Sequence, residues 1–232
     1  MNSDHIVKSF DDELMQLRSY IAEMGGLVES LLAESTDALI KRNIDVADVI
    51  ISKDKFIDDL EVLVNEQAIK IISLRQPMAL DLRNTVSALK ISNDLERMGD
   101  YAANISKRSK YLLTSPVLEA SLSIGRMSSL VQKMIKNVLD AYASNDTILA
   151  QDVIESDLEV DLMHTSLFRE LITYMMEDAK NISSSTHLFF IAKNIERIGD
   201  HATNIAESII YAVDGISPQG IRQKGDSASN VE

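Results

Sequence analysis

Apolar or small side chains fall at Leu14, Leu17, Ile21, Met24, Val28, Leu31, Ser35 and Ala38, alternating spacings of three and four from Phe10 onward. That period puts them on one face, so a long packed helix is predicted there. After the polar break around Asn43, a second helix is predicted from Ile44 or Asp45, with Val49, Phe56, Leu60, Leu63, Val64, Ile71 and Ile72 as its apolar positions. It stops before Gln76-Pro77, because proline cannot continue a helix but fits the first turn of a new one. Pro77 is therefore read as opening a third helix that runs to about Leu112, where Ser115-Pro116 ends it. Ile124, Met127, Val131, Met134, Val138 and Ala141 trace a fourth helix to about Ser144, closed by Asn145-Asp146. A fifth is predicted from Thr147 to Asp178 and a sixth from Ser184 to Val213, after a polar linker over 181–185. The tail, 215–232, reads as disordered.

The chain repeats itself. Met24-Gly-Gly-Leu-Val aligns with Met127-Ser-Ser-Leu-Val at an offset of 103, which also pairs Asp37-Ala38 with Asp140-Ala141, Ala47 with Ala150, Asp54 with Asp157 and Asp58 with Asp161. At an offset of 100, Glu96-Arg97-Met98-Gly99-Asp100 and Asn104 match Glu196-Arg197-Ile198-Gly199-Asp200 and Asn204. The change of offset makes the second hairpin three residues shorter. A duplicated three-helix unit is the reading: an all-α chain of six long helices forming two up-down bundles, over 1–114 and 115–214.

In the third helix Ile91, Leu95, Met98, Ala102 and Ile105 form the apolar stripe, while Glu96, Asp100 and Asn104 fall on a separate one. Asp54 and Asp58 make a similar pair on the second helix. At about 1.5 Å of rise per residue, an antiparallel hairpin centred near residue 76 brings Asp58 level with Glu96 and Asp54 level with Asp100. The second repeat gives the same match for Asp161 with Glu196 and Asp157 with Asp200. Carboxylates gathered so closely repel unless paired or metallated, and with the Asn104 and Asn204 amide oxygens they make an oxygen-rich set suited to hard or borderline cations. A lone acid pair on a helix usually reads as a solvated face, here with Arg97 and Arg197 as salt-bridge partners. Recurrence of both motifs at matched heights favours two metal sites, with the arginines as braces. Gly99 and Gly199 interrupt their helices at a cost of about 1 kcal/mol each relative to alanine. Close approach of a neighbouring backbone and simple tolerance both account for them. His201 is matched by Tyr101, so it reads as incidental, as do His5, His164 and His187.

Composition agrees with helix: the 232 residues are 45% apolar but only 5% aromatic, with 8 glycines and 3 prolines. That is enough apolar surface for one elongated domain or two smaller ones. Without cysteine there is no thiolate site, so any metal must be held by oxygen or nitrogen. The first residues lack the pattern of a signal peptide, and no apolar run approaches the roughly 20 residues that span a bilayer, so a cytoplasmic protein is expected. A formal charge of −13 disfavours nucleic acid and anionic lipid and favours cations or protein partners.

The segments Leu74 to Arg83 (LRQPMALDLR), Asn93 to Ile105 (NDLERMGDYAANI) and Asn194 to Ile205 (NIERIGDHATNI), with DKFID and DLEVD on the preceding helices, resemble the PhoU family over about residues 1 to 214. The second hairpin lacks the Arg-Gln-Pro sequence of the first. The resemblance implies two three-helix bundles side by side, iron or zinc clusters held by the acids, and often a homodimer. It also implies a negative regulator that links the phosphate ABC transporter and its ATPase subunit to the sensor histidine kinase of the phosphate-starvation response, peripheral to the membrane through those partners. Manganese, magnesium and calcium remain open on donor chemistry alone.

Three other functions compete. A di-metal carboxylate oxidase wants Glu-x-x-His where both repeats have Glu-x-x-Gly. A metal-dependent hydrolase would need a distinct nucleophile or base, which the sequence does not display, so no enzyme is expected. A phosphate-independent helical adaptor is the remaining alternative.

Overall fold

The computed structural model describes residues 3–113 and 118–216, with side chains for 9–43, 49–113 and 118–216. Six helices follow in the predicted order: α1 (Ser3–Lys41), α2 (Ile44–Arg75), α3 (Ala79–Leu112), α4 (Ala120–Ser144), α5 (Thr147–Glu177) and α6 (Asn181–Asp214). The Ser115-Pro116 stop, residues 217–232 of the tail and the side chains of His5 and Ala47 lie outside the described residues.

Two helix starts differ from the sequence reading. Pro77 does not open α3: residues 76–78 are non-helical, Met78 is extended, and the helix begins at Ala79. A residue before proline is pushed out of the helical region, and Gln76 at φ 50° and Ala79 at φ 47° turn the chain on either side of Pro77. Arg75 anchors this hairpin, its guanidinium donating to the Glu13 carboxylate at 2.8 and 3.0 Å and to Ser9 Oγ at 2.6 Å. The second correction is α6, which starts at Asn181 rather than Ser184, because the polar residues read as a linker satisfy the turn locally. Asp178 accepts from the Lys180 N–H at 2.9 Å, and Asn181 Nδ2 donates to the Tyr174 carbonyl at 3.1 Å. Asn145-Asp146 behaves as read: Asn145 is left-handed at φ 54°, and Asp146 caps α5 by accepting from the Ile148 and Leu149 N–H groups at 2.9 and 3.0 Å. Such a cap contributes about 1 kcal/mol.

Among the described residues, helix α2 packs only on α1 and α3, and α5 only on α4 and α6, while α1 meets α4 and α3 meets α6. The closed ring α1–α3–α6–α4 is a four-helix centre with α2 and α5 on its flanks. Both central pairs run antiparallel. Along α3 and α6, Lys90 lies over the Tyr211 ring, Asp94 bonds His201, and Arg108 lies over Phe190. Along α1 and α4, Gly25 faces Leu139, Gly125 faces Ile40, and the Thr36 and Ser128 hydroxyls meet at 2.8 Å. The two repeats are therefore related by a pseudo-twofold axis at the level of Gly99 and Gly199, and one continuous apolar core runs through both.

The apolar face of α2 is shifted from the predicted one. Ile50, Ile57, Leu60, Val64, Ala68 and Ile71 are buried, whereas Val49, Phe56, Leu63 and Ile72 are exposed. Apolar residues go round most of this helix, and packing against two neighbours selects one stripe that the period alone does not distinguish. Arginines close the ends of the central helices. Arg83 Nε donates to the Ala212 carbonyl at 3.0 Å at the end of α6, and Arg42 donates to the Leu112 and Leu113 carbonyls at the end of α3.

Candidate functional site

The acids of the first repeat converge along the seam between α2 and α3. Burial pushes the Asp54 carboxyl up to about 6, with the charges of Asp100 and Asp58 adding to the rise and Lys107 opposing it. Glu96 is raised for the same reasons, burial first and then Asp100, with Glu61 and Asp58 adding and Arg97 opposing. The charges of Asp58 and Asp100 thus act on both Asp54 and Glu96, which groups the four carboxylates along the seam. Arg97 braces it from the rim, its guanidinium 3.3 Å from Glu96 and 3.5 Å from Asp100. The predicted match of heights is what the helices deliver.

Gly99 lies under Asp54. An added Cβ would stand 2.9 Å from Asp54 Oδ1 and 2.7 Å from Ile57 Cδ1, both closer than real contacts. Here the glycine permits close approach of the facing helix. At Gly199 the same vector passes 3.5 Å from Asp157 Oδ1 and 3.6 Å from Val160, which is ordinary contact. Gly199→Ala is therefore expected to stabilise the protein by up to about 1 kcal/mol through helix propensity. Gly99→Ala is expected to lose that gain by displacing Asp54. Urea midpoints of the two variants read the difference.

In the second repeat Asp157, on α5, is 3% exposed and packed against Gly199 of α6. Asp161 and Glu196 line a cavity of about 210 Å³ together with His164, Thr165, Lys193 and the Phe168–Phe189 pair. Lys193 Nζ holds Glu196 at 2.7 and 2.8 Å. Asp200 stands one turn beyond Glu196 on α6. Arg197 does not reproduce Arg97: it lies over the Tyr101 ring, 5.5 Å from its centroid.

Two members of these seams escaped the sequence reading. Glu61 joins the first, coupled to Glu96, and His164, at the equivalent position 103 residues later, lines the second. The signal was present, since both sit one turn after the second aspartate, but they differ in identity and so do not register as a repeat. Asn104 and Asn204 stand farther along their helices and toward the α3–α6 groove. Asn204 Nδ2 donates to Asp94 at 3.4 Å, and Asn104 lines a cavity between α3 and α6. His201 Nδ1 meets Asp94 at 2.7 Å, so it belongs to that groove as well.

The donor chemistry fits a hard or borderline cation: carboxylates alone at the first seam, carboxylates with an imidazole at the second. Among the described residues no three His, Asp or Glu side chains stand close enough to grip one ion as they are arranged. The seams thus present converging charge rather than a closed chelate. Among the described residues no helix is long and apolar enough to cross a membrane.

Comparison with known proteins matches this duplicated pattern. The PhoU domain matches twice, over residues 21–109 and 124–209, once in each repeat. The phosphate-specific transport system accessory protein PhoU homolog of Rhizobium meliloti is 46% identical over 232 residues, spanning 100% of this chain and 98% of that one. Its counterpart in Zymomonas mobilis is 51% identical over 211 residues, spanning 91% and 89%. The crystal structure of PhoU from Pseudomonas aeruginosa superposes with a TM-score of 0.85 at 39% identity, covering 89% of this chain and 100% of that one. The phosphate transport system regulatory protein PhoU of Streptococcus pneumoniae gives 0.84 at 28% identity, covering 90% and 98%. With the domain found in both halves and relatives alike from end to end, the chain belongs to the PhoU family.

Proposed function

We propose that this protein is a regulatory accessory protein of a phosphate-specific transport system, and that cations held in its two acidic seams are part of how it works. The relatives that match it over nearly their whole length carry the first half of that name. The observation that carries the second half is the gathering of carboxylates along the α2–α3 seam, with Asp54 Oδ1 set against Gly99 beside Asp100, where burial and then the charges of Asp100 and Asp58 push the Asp54 carboxyl up to about 6. An arrangement that costs free energy in the bare chain is favoured once a cation neutralises it.

Asp54, Asp58, Glu61, Glu96 and Asp100 would hold cations at the first seam, and Asp157, Asp161, His164, Glu196 and Asp200 at the second. Iron or zinc is the family expectation, and the oxygen donors also suit manganese, magnesium or calcium. Bound cations would supply charge neutralisation and tie α2 to α3 and α5 to α6. The partners proposed are the phosphate ABC transporter with its ATPase subunit, the sensor histidine kinase of the starvation response, and a second copy of this chain. In this reading the protein is a negative regulator, not an enzyme.

The test replaces Asp100 and Asp200 together by asparagine in cells that lack the wild-type copy. The expected result is a phosphate-starvation reporter that stays on in high phosphate. Full repression by the double variant at normal protein level would contradict the seams' role, whereas a reporter unaffected by loss of the whole protein would favour a phosphate-independent adaptor.

A further inference from the structure

The groove between α3 and α6 is built differently at its two ends. One end is a cavity of about 600 Å³ with Lys107, Arg108, Lys193 and Arg197 on its walls and no carboxylate among its lining residues. The chain as a whole carries a formal charge of −13. Of the four cations only Lys193 has a carboxylate within 4 Å among the described residues, while Arg108 and Arg197 lie over aromatic rings at 4.3 and 5.5 Å. Four like charges around one groove repel, which draws anions to it.

The duplication provides an internal control. The other end of the same groove is lined by Lys90, Asp94, Asn204 and Glu207. At an offset of 100, Lys107 is matched by Glu207, Arg108 by Ser208, Lys193 by Asn93 and Phe190 by Lys90. The basic end is therefore not a requirement of the fold, which accommodates acidic and neutral residues at the equivalent positions. Asn194 sharpens the contrast. It lines the basic cavity and is 8% exposed. Its equivalent, Asp94, is bonded to His201 and Asn204. An amide on the wall of a cavity can meet a ligand's polar atom.

Aromatic side chains complete this end. Tyr111 stacks on His187 with centroids 5.0 Å apart, and Tyr111 and Phe190 remain 65% and 43% exposed. Cations for phosphoryl groups, a buried amide for ring or sugar polar atoms, and exposed aromatic faces for a planar base occur together only at this end. The volume falls in the range of small-molecule sites. We propose that the basic end of the α3–α6 groove binds a nucleotide, its phosphates on Lys107, Arg108, Lys193 and Arg197 and its base against the Tyr111–Phe190 edge. This site borders the acidic seams, with Lys193 also holding Glu196 of the second and Lys107 acting on Asp54 of the first, but it does not depend on the function proposed for them.

Calorimetric titration of the full chain with ATP, inorganic triphosphate and adenosine, at about 50 mM salt without added divalent cation, tests it. ATP is expected to bind at least about tenfold more tightly than triphosphate, and adenosine most weakly. Lys107→Glu combined with Arg108→Ser installs the residues that the second repeat already carries, and should weaken ATP at least about tenfold. Lys90→Gln, at the other end, should change nothing. Tyr111→Ala, which keeps the charges, should remove the preference for ATP over triphosphate. The proposal is overturned if ATP does not bind, if triphosphate binds as tightly as ATP, or if the Lys107 and Arg108 substitutions leave ATP affinity unchanged. Loss of ATP binding in Asp100→Asn with retention in the groove variant would also overturn it, assigning the anion to seam-bound cations.

Discussion

Replacing Ile57 by alanine is expected to destabilise the protein by about 2–5 kcal/mol, a large share of the roughly 5–15 kcal/mol that holds a typical domain together. Ile57 is fully buried beneath the first acidic seam, with its Cδ1 in the space that Gly99 leaves open. Truncation opens a cavity where α2 meets α3, and α2 has only α1 and α3 to hold it. Phe56, its neighbour, is 59% exposed, and Phe56→Ala is expected to change stability by no more than about 0.5 kcal/mol. Urea unfolding midpoints at unchanged m-value measure both. A larger loss for Phe56→Ala than for Ile57→Ala would mean that α2 buries the face its sequence pattern first suggested.

The metal-free protein is expected to lose stability at the first seam as pH rises from about 4 to about 6. Asp54 has an ordinary value of 3.8 when unfolded and about 6 when folded. Between these values the folded chain holds more protons, so rising pH favours the unfolded state. Glu96 acts in the same direction. Because Asp54 is only partly buried, the effect is on the order of 1 kcal/mol. Glu13 and Glu34, held low by Arg75 and Lys53, act oppositely, so the difference between wild type and Asp54→Asn isolates the seam. A cation at a hundred times its dissociation constant should then add about 2.7 kcal/mol to the wild type. That gain should grow with pH, since protons compete for the same oxygens. Denaturant unfolding with chelator and with added manganese, at about pH 4.5, 6 and 7.5, reads these changes. Identical pH profiles for wild type and Asp54→Asn in chelator would contradict the account.

The long helices and their duplication were legible because each depends on short-range pattern: apolar period, proline and Asx punctuation, and an acid motif repeated in order. The facing of Asp54 on Asp100 followed from helix rise alone. Helix α2 was less legible, since Phe56 and Ile57 are equally apolar and only the flanking position of the helix decides which is buried. His164 was passed over for a related reason. Its partner in the first repeat is Glu61, and residues equivalent in position but unlike in chemistry become visible only when the seam is assembled. The basic groove was invisible, because Lys107 and Arg108 are brought to Lys193 and Arg197 by the pairing of α3 with α6, far apart in the chain.

The central claim is that each repeat carries its own cation-binding seam. Elemental analysis of gently purified protein tests it most directly, comparing wild type with the variant in which Asp54, Asp58, Glu96 and Asp100 are all alanine. The account predicts iron, zinc or another di- or trivalent metal in the wild type and roughly half as much in the variant. Equal metal in both, or none in the wild type even after reconstitution, would contradict it.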